Sequence, residues 1–596
     1  MTLRAIGGLV VLNLFILSVG AGVLWGLRGW RWWTDLVRLA GVAYLLGWSA
    51  LMLAMTYELV LGIPIGAATV LLNGAGIVAL GVLLGRRRGF TAPMVRPPGW
   101  RLPRLSLLAA AFLAGLLVYV EGLFRAGRLA GVAREWDSWA NWIPKAQEIF
   151  RSGRLEPEFL TLVQVLQLPS YPPGLATIQA AAFHAMGTAD TATLHVQYWF
   201  FAVAFVGAAI GLLANRVHHA ILFPVLLAFL VAPSLLDWNS TLYADIPLGY
   251  LVAVAALLVL LWIEEKEPWQ LAAATVLLSG AMLVKREGLL FAACVVVAGF
   301  VASFAGRRRL WPRLFVAGVA AVALVLPWRI WFMAHDLVGD TPGGVGGVAL
   351  VRSDRFWPSV EFAVATLFDQ ALWRFVPYVA AAAVVLALLA GAWRASLYAA
   401  VFLLGAVASG AWVFWVNHWL GLTSDEWTAR RFTGTTILTL AVLTPLLLQR
   451  AWSSRPTEST REPPGPDAIV WQSRLAWLVV ALGALSHPGA MLVGYSGSGL
   501  PGGLPSFPGS SDCAADPVPG ADVRVVIGYV DSYPAAEAMR ARAVAAGLEA
   551  AEVGRDECGR LRVFVDDVAT GEASRRLAAR AESAGLEPTV ETDPDD

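Results

Sequence analysis

Apolar residues fall along this chain in long unbroken blocks and rarely alternate with polar ones. Charge-free windows of about 20 residues recur, the length of helix that crosses ~30 Å of hydrocarbon. This pattern predicts about 14 spans, near residues 5–27, 36–60, 65–85, 105–124, 191–214, 219–236, 246–263, 269–285, 288–305, 314–333, 375–392, 396–416, 432–449 and 474–495. The breaks between blocks are of two kinds: some are short and rich in Arg, others longer with acids, Trp and Gly. Beyond residue 495 the pattern changes. Residues 496–521 are rich in Gly, Pro and Ser and read as a linker.

Residues 522–596 have the period of a soluble domain. The β-branched "VRVVIGYV" (523–530) predicts a strand, and "YPAAEAMRARAVAAGL" (533–548) an Ala/Arg helix closing near Gly547. Strands at 549–554 and 560–567, a helix at 571–586 and a strand at 587–592 complete a βαββαβ order, an α+β split-βαβ sandwich. The "AAGL" and "SAGL" helix endings suggest an internal repeat of about 38 residues.

Composition agrees with the block pattern. Of 596 residues, 58% are hydrophobic, 15% are charged and 26 are Trp, with mean hydropathy +0.64. The expectation is a mainly α, polytopic membrane protein in contact with the lipid bilayer, with a small C-terminal α+β domain. A net charge of +1 gives no footprint for nucleic acid. The first apolar run lacks a small-residue cleavage site and reads as a retained helix.

Basic residues set the expected orientation. Arg28, Arg31 and Arg38, then Arg86–Arg88, Arg96, Arg101 and Arg104, then Arg216, Lys266, Arg307–Arg309, Arg313, Arg394, Arg450, Arg455 and Arg461 share one side under strict alternation. Positive loops are cytoplasmic. The stretch 451–467 is a flexible linker on that side. Both termini and the acidic loops are then on the outer face of the plasma membrane.

The outer loops hold the candidate chemistry. In "REWDSWANWIPKA", Glu135 and Asp137 flank Trp136, with Trp139 following; Asp137, Asn141 and Lys145 are spaced by four and share a stripe if the segment is helical. Pro144 is expected to kink or end that helix. A solvated interfacial helix with belt Trp residues is the competing reading, but two acids at membrane depth are costly unless used. Asp245 opens a span in "YADIPL", where helix capping is the competing role. "LVKREGLLF" places Lys285 and Arg286 between two apolar runs, suited to a phosphate at headgroup depth, with snorkelling as the alternative. Arg329, Arg430 and Arg431 lie at outer span ends. "YPPGLATIQAAAFHAMG" predicts a short helix lying along the surface after Tyr171-Pro172-Pro173. His184 and His195 read as structural, and Cys294 as a small core residue. Cys513 and Cys558 both fall outside, where oxidation favours a disulfide between linker and hairpin; two free thiols are the alternative.

In order along residues 105–450, "EWDSWANWIPKA", "YPPGL", "YADIPL" and "VKREGLLF" resemble the GT-C class of integral-membrane glycosyltransferases, closest to the protein O-mannosyltransferase and aminoarabinose-transferase group. The resemblance divides the chain into extra helices (1–104), a catalytic transmembrane domain (105–495) with an outer loop at 125–190, the linker, and the C-terminal unit. It implies a sugar donor on a polyprenyl phosphate and a catalytic acid at Asp137, with Glu135 as neighbour and Asp245 as the later acid. Lys285 takes the place of the phosphate-binding cation. Two departures stand out: three spans precede the first matching one, and Tyr171 replaces a Lys that relatives often carry before Pro-Pro, so Lys145 or Arg286 is expected to supply that charge. Some members hold a divalent ion (Mg or Mn) at the acidic motif and others none; here Glu135, Asp137 and Asp245 would be its ligands. The C-terminal unit resembles SPOR-type domains, which bind peptidoglycan strands.

The residues suit this chemistry on their own terms. A carboxylate serves as base for an acceptor hydroxyl, and cations stabilise the phosphate leaving in one-step inverting transfer. Lys285, Arg286, Arg329, Arg430, Arg431 and Lys145 are the candidate phosphate contacts, and Trp136, Trp139 and Tyr171 the candidate sugar or acceptor contacts. The acceptor would be a cell-envelope glycan, lipid or protein. The alternative is a transporter or flippase of lipid-linked sugars. Repeated halves and midplane charges would mark it, and neither is evident. A wall-anchoring protein led by its C-terminal unit is a third reading, and it leaves the acids at 135, 137 and 245 without a use.

Overall fold

The structure is a computed structural model that describes residues 3–94, 105–129, 137–161, 166, 169–239, 241–304, 308–337, 353–416, 426–453, 466–485, 523–530, 533–555, 561–568 and 571–591. Among these, nine helices are long and apolar enough to cross a membrane, and up to eleven if each of two bent pairs is one span. The chain is thus a mainly α, multi-pass membrane protein. The bent pairs are His219–Leu230 with Pro233–Asn239, at 72°, and Asp354–Trp373 with Val376–Leu389, at 114°. The other three of the fourteen expected segments form the shorter apolar helices Pro268–Val284, Gly288–Ala302 and Arg474–Ala484. The first two have 17 and 15 residues. At 1.5 Å per residue they rise only about 25 and 22 Å. The charges at 285–287 and the basic run near 308 cut these apolar blocks short.

The helix Asp245–Glu265 is the axis of the bundle, and its span is wholly enclosed by protein. Its sequence is apolar on every face, the pattern of a helix with no lipid-facing or water-facing side. Ion pairs and hydrogen bonds fix its direction relative to two neighbours. Gln270 donates to Glu265 at one end and Lys285 to Asp245 at the other, so Pro268–Val284 runs antiparallel to it along its full height. Arg431 donates to Asp245 and Arg450 to Glu264, so Glu426–Ser453 is antiparallel as well. The bundle therefore has one end carrying Asp245, Lys285 and Arg431, and another carrying Glu265, Arg216 and Arg450.

Small and polar residues hold other helices together, as expected where lipid supplies no hydrophobic drive for association. A Cβ on Gly20 would lie 1.6 Å from the Ala43 carbonyl oxygen, and one on Gly47 would lie 2.0 Å from that of Ile16. Leu3–Arg28 and Ala40–Val60 thus touch backbone to backbone. Beside them Asn13, Tyr44 and Gln197 close a buried polar triangle: the Tyr44 hydroxyl donates to Asn13 Oδ1 at 2.5 Å, and Asn13 and Gln197 exchange amide bonds at 2.8 and 2.9 Å. A second buried set joins Tyr119, Asn239 and Tyr250.

Gly174–Met186 does not lie along the surface. Nearly all of it is buried, and it packs against Leu3–Arg28, Ala40–Val60 and Ile143–Ser152. Its small residues allow this; at Gly174 an added Cβ would come 2.7 Å from the Leu283 carbonyl oxygen.

The C-terminal unit has strands β1 (Val523–Val530), β2 (Glu552–Arg555), β3 (Leu561–Val568) and β4 (Thr589–Glu591), with helices Tyr533–Ala545 and Gly571–Ser583. The sheet order is β2-β3-β1-β4, and every neighbouring pair is antiparallel. Val525, Ile527, Val563 and Val565 form its core with Leu548 and Leu586. Gly547 and Gly585 take positive φ just past the two helices, the left-handed turn that the repeated "AGL" endings supply.

Candidate functional site

At the Asp245 end of the bundle, four stretches of chain converge. The first is the turn Ser138–Trp142, a π-helical segment that leads into Ile143–Ser152. The wider turn lets the helix pass Pro144, which sits in the first turn of the α-helix and does not end it. Asp137, Asn141 and Lys145 are all buried there. A solvated interfacial helix is therefore not what this segment forms.

Asp245 is the first residue of its helix, and it makes no side-chain cap. Its carboxylate is taken up by two cations. Lys285 Nζ lies 2.8 Å from Oδ1, while Arg431 Nε and Nη2 reach Oδ2 at 3.0 and 2.7 Å. Arg431 also donates to Asp137, so one guanidinium bridges both carboxylates. Arg431, Lys285, Asp137 and Asp245 are all 6% exposed or less. Such a set of buried charges is tolerable only because each is paired.

Lys285 can reach Asp245 because its backbone is extended and ends the Pro268–Val284 helix. Its Nζ is also 3.6 Å from Glu287. Glu287 in turn accepts the Tyr171 hydroxyl at 3.0 Å, and the Arg286 guanidinium stacks over the Tyr171 ring at 4.5 Å. Burial, and next the Glu287 carboxylate, push the Tyr171 phenol well above its ordinary pKa, so it stays a proton donor. Trp142 meets the same ring edge-on at 5.4 Å. Arg431 lies 4.3 Å over the ring of Tyr243.

The remaining expected residues divide. Arg286 and Arg329 approach Ser170, each at 3.5 Å, at the rim of the cluster. Lys145 is fully buried, and its Nζ donates to the carbonyls of Pro169 and Tyr171 at 3.2 and 2.8 Å. It holds the Tyr171 loop in place. Arg430 is within electrostatic reach of Asp237. Glu135 and Trp136, and the side chain of Trp139, fall outside the described residues, as do Cys513 and Cys558. His184 packs on Phe150 and His195 meets the Thr191 carbonyl, both within the framework. Cys294 is buried beside Ser409.

Residues that sequence reasoning passed over are Tyr243, Glu287 and Ser170, the pairing partners of the expected ones. Each adjoins a quoted motif, and a partner for every buried charge was the available signal. Ser138 Oγ, both amide atoms of Asn141 and Trp142 Nε1 are buried without a hydrogen-bond partner, on the turn that follows Asp137. Native interiors rarely leave such groups unpaired, so this turn has polar capacity to spare for a ligand.

No three His, Cys, Asp or Glu side chains gather as a cation site among the described residues. The positive charge between Asp137 and Asp245 is Arg431 itself, and in this arrangement the two carboxylates do not fit a divalent ion. No protein-family model matches the chain, and neither a curated protein nor a solved structure is similar to it.

Proposed function

We propose that this chain is an inverting membrane glycosyltransferase, moving a sugar from a polyprenyl-phosphate donor to an acceptor at the membrane face that carries Asp245. The observation that carries the reading is the Asp137–Arg431–Asp245–Lys285 cluster, buried at one end of the bundle. It combines candidate bases with phosphate-binding cations in a water-poor place, where both act most strongly.

The acceptor hydroxyl oxygen forms a bond to the anomeric carbon, and its proton passes to Asp137. The bond from that carbon to the phosphate oxygen breaks, and the electron pair leaves with the lipid phosphate. Arg431 and Lys285 receive the charge that develops there. In the structure both cations are occupied by Asp245, and Arg431 also by Asp137. A donor phosphate competes for Arg431 and so frees the Asp137 carboxylate to act as base. Donor binding and base activation are then one event. Asp245 keeps the two cations at the correct spacing. Ser138, Asn141 and Trp142 Nε1 offer hydrogen bonds to sugar hydroxyls.

We place the lipid tail along the helices beside this cluster. An apolar crevice lined by Leu367, Ala406, Phe414, Ala429 and Phe432 opens among Ser353–Leu367, Trp393–Val416 and Glu426–Ser453. Phe432 follows Arg431 on Glu426–Ser453, so the crevice and the charged cluster share that helix. The active face is assigned to the outside of the plasma membrane by the basic loops at the other end. The C-terminal unit is assigned, as SPOR-like, to a cell-envelope glycan.

A transporter or flippase of lipid-linked sugars is the second reading. The two sharply bent helix pairs favour it, because transporters bind substrates at broken helices. One experiment separates the two: transfer of radiolabelled sugar from polyprenyl-phosphate donors to membrane and wall extract, comparing wild type with Asp137→Asn. Transfer by wild type that disappears in a folded, donor-binding mutant supports the enzyme. Movement of donor across liposomes without transfer would assign the flippase.

A further inference from the structure

The far end of the bundle holds a second polar site that the proposed chemistry does not use. A cavity of about 260 Å³ is lined by Arg28, Arg38, Arg216, Glu265, Trp269 and Gln270, with Leu39, Gly211, Leu212 and Glu267 completing it. One water occupies ~30 Å³ of liquid, so the space exceeds what a few waters need. Its walls are the ends of four spans and of Pro268–Val284. The helix Asp245–Glu265 separates it from the Asp245 cluster by about 30 Å at 1.5 Å per residue.

Its lining carries Arg28, Arg38 and Arg216 against Glu265 and Glu267, with Asp35 beside Arg38, and these charges are unevenly paired. Arg216 is paired with Glu265 through two contacts of 2.5 and 2.7 Å, and Gln270 donates to the same carboxylate at 2.6 Å. Three donor contacts thus converge on the Glu265 carboxylate. Arg28 has no carboxylate partner among the described residues, and stacks over the Trp269 ring at 5.7 Å. Arg38 reaches Asp35 only at 3.9 Å, and its Nε is buried without a hydrogen-bond partner. Burial, followed by the nearby Arg28, presses the Arg38 pKa down, while Asp35 acts the other way. Close packing enforces the crowding. A Cβ on Gly211 would lie 1.9 Å from the Arg38 carbonyl oxygen, so Thr191–Leu213 sits hard against the Arg38 backbone.

We propose that this cavity binds a phosphate-bearing anion, held by Arg28 and Arg38 with Trp269 as its apolar wall. Two guanidinium forks converging on one space match phosphate geometry. An anionic phospholipid headgroup and a free phosphate share this chemistry. A basic pocket between transmembrane helix ends is where headgroups of that charge are taken up.

The test is a titration of the full chain in neutral detergent, following thermal unfolding with three probes: dihexanoyl phosphatidylglycerol, dihexanoyl phosphatidylcholine and inorganic phosphate. Wild type is expected to bind phosphatidylglycerol saturably. Arg28→Gln and Arg38→Gln each weaken that binding about tenfold, the size of one lost hydrogen bond to a charged group. Arg309→Gln, at an exposed position outside the cavity, leaves it unchanged. Phosphatidylglycerol alone binding identifies a lipid headgroup; inorganic phosphate binding as well, with the same loss in both variants, identifies a site for free phosphate. Phosphatidylcholine binding as tightly as phosphatidylglycerol overturns the proposal. So does the absence of saturable binding by either anion, or equal weakening by Arg309→Gln. If Arg38→Gln fails to fold, Arg28→Gln carries the same comparison.

Discussion

Arg431 donates to Asp137 and to Asp245 at once, joining an early loop to the axial helix through a single guanidinium. A fork with five donors can do this; an ammonium cannot occupy both directions with the same geometry. Arg431→Lys is therefore expected to keep the charge and lose the bridge, with transfer falling at least a hundredfold. Arg431→Met leaves two buried carboxylates facing each other, and should cost about 3–5 kcal/mol of stability. Comparing the unfolding temperatures and transfer rates of the two variants separates charge from geometry. Equal transfer by Arg431→Lys and wild type would remove the bridge from the mechanism.

The two aspartates have unequal duties, and their variants should differ accordingly. Asp245 contacts Lys285 and Arg431, whereas Asp137 contacts Arg431. Asp245→Asn strips charge compensation from two buried cations and is expected to be the less stable variant. Asp137→Asn should stay folded and lose 10²–10⁴-fold in transfer, about the contribution of a general base. The check is a thermal melt beside a transfer assay. Asp137→Asn with full transfer moves the base to another residue.

Tyr171 stands where the resembled family often carries a Lys, and its phenol is committed to Glu287. Tyr171→Phe keeps the ring under Arg286 and against Trp142 but leaves Glu287 without that donor. A loss of about 1.5–3 kcal/mol is expected, as for a hydrogen bond to a charged group. Tyr171→Ala also removes the platform for Arg286 and should lower donor affinity further. Donor-binding titrations on the two variants read this difference; identical affinities would assign the ring no part in the site.

Much of this arrangement was legible in the residues. Charges placed at membrane depth at 137, 245, 285 and 431 converge in the structure, since buried charges must find partners. The pairing itself was not legible. Nothing local to "TARRF" says that Arg431, and not Arg430, turns inward, because that depends on the rotation of a helix set by distant packing. Lys145 shares a stripe with Asp137 by spacing, yet its ammonium goes to the Tyr171 loop, because the π turn alters the angular relation between them. The Pro-Pro helix read as surface-lying from its length alone. Its small residues, which let Leu283 and Ala40–Val60 approach, carried the opposite message. The fourteen apolar blocks correspond to helical segments, but block length did not separate a full span from a 15-residue helix flanked by charge.

The buried triangle of Asn13, Tyr44 and Gln197 joins three spans without an ion. Asn13→Leu removes both an acceptor and a donor, and leaves Gln197 and Tyr44 facing apolar surroundings. Interhelical polar contacts of this kind are worth about 1–2 kcal/mol in membranes. The variant should melt at lower temperature with no change in donor affinity, since the triangle does not touch the Asp245 cluster. A shift in donor affinity would mean that these spans also position the site.

Leu3–Arg28 and Ala40–Val60 meet backbone to backbone through Gly20 and Gly47. At either position any side chain meets backbone, which cannot swing aside as a long side chain would. Gly20→Leu should therefore force the helices apart and cost about 1–3 kcal/mol or more by overpacking. Gly7 has open space around it, so Gly7→Leu on the same helix is the control and should be nearly neutral. The consequence reaches the site in one direction only. Gly174–Met186 packs on both of these helices and starts just after Tyr171, so separating them should loosen the Tyr171 platform while leaving the Asp245–Lys285 pair intact. Limited proteolysis and donor titration of the Gly20 and Gly7 variants would check this. A Gly20→Leu protein that melts like wild type would mean that the two helices do not rely on close backbone approach.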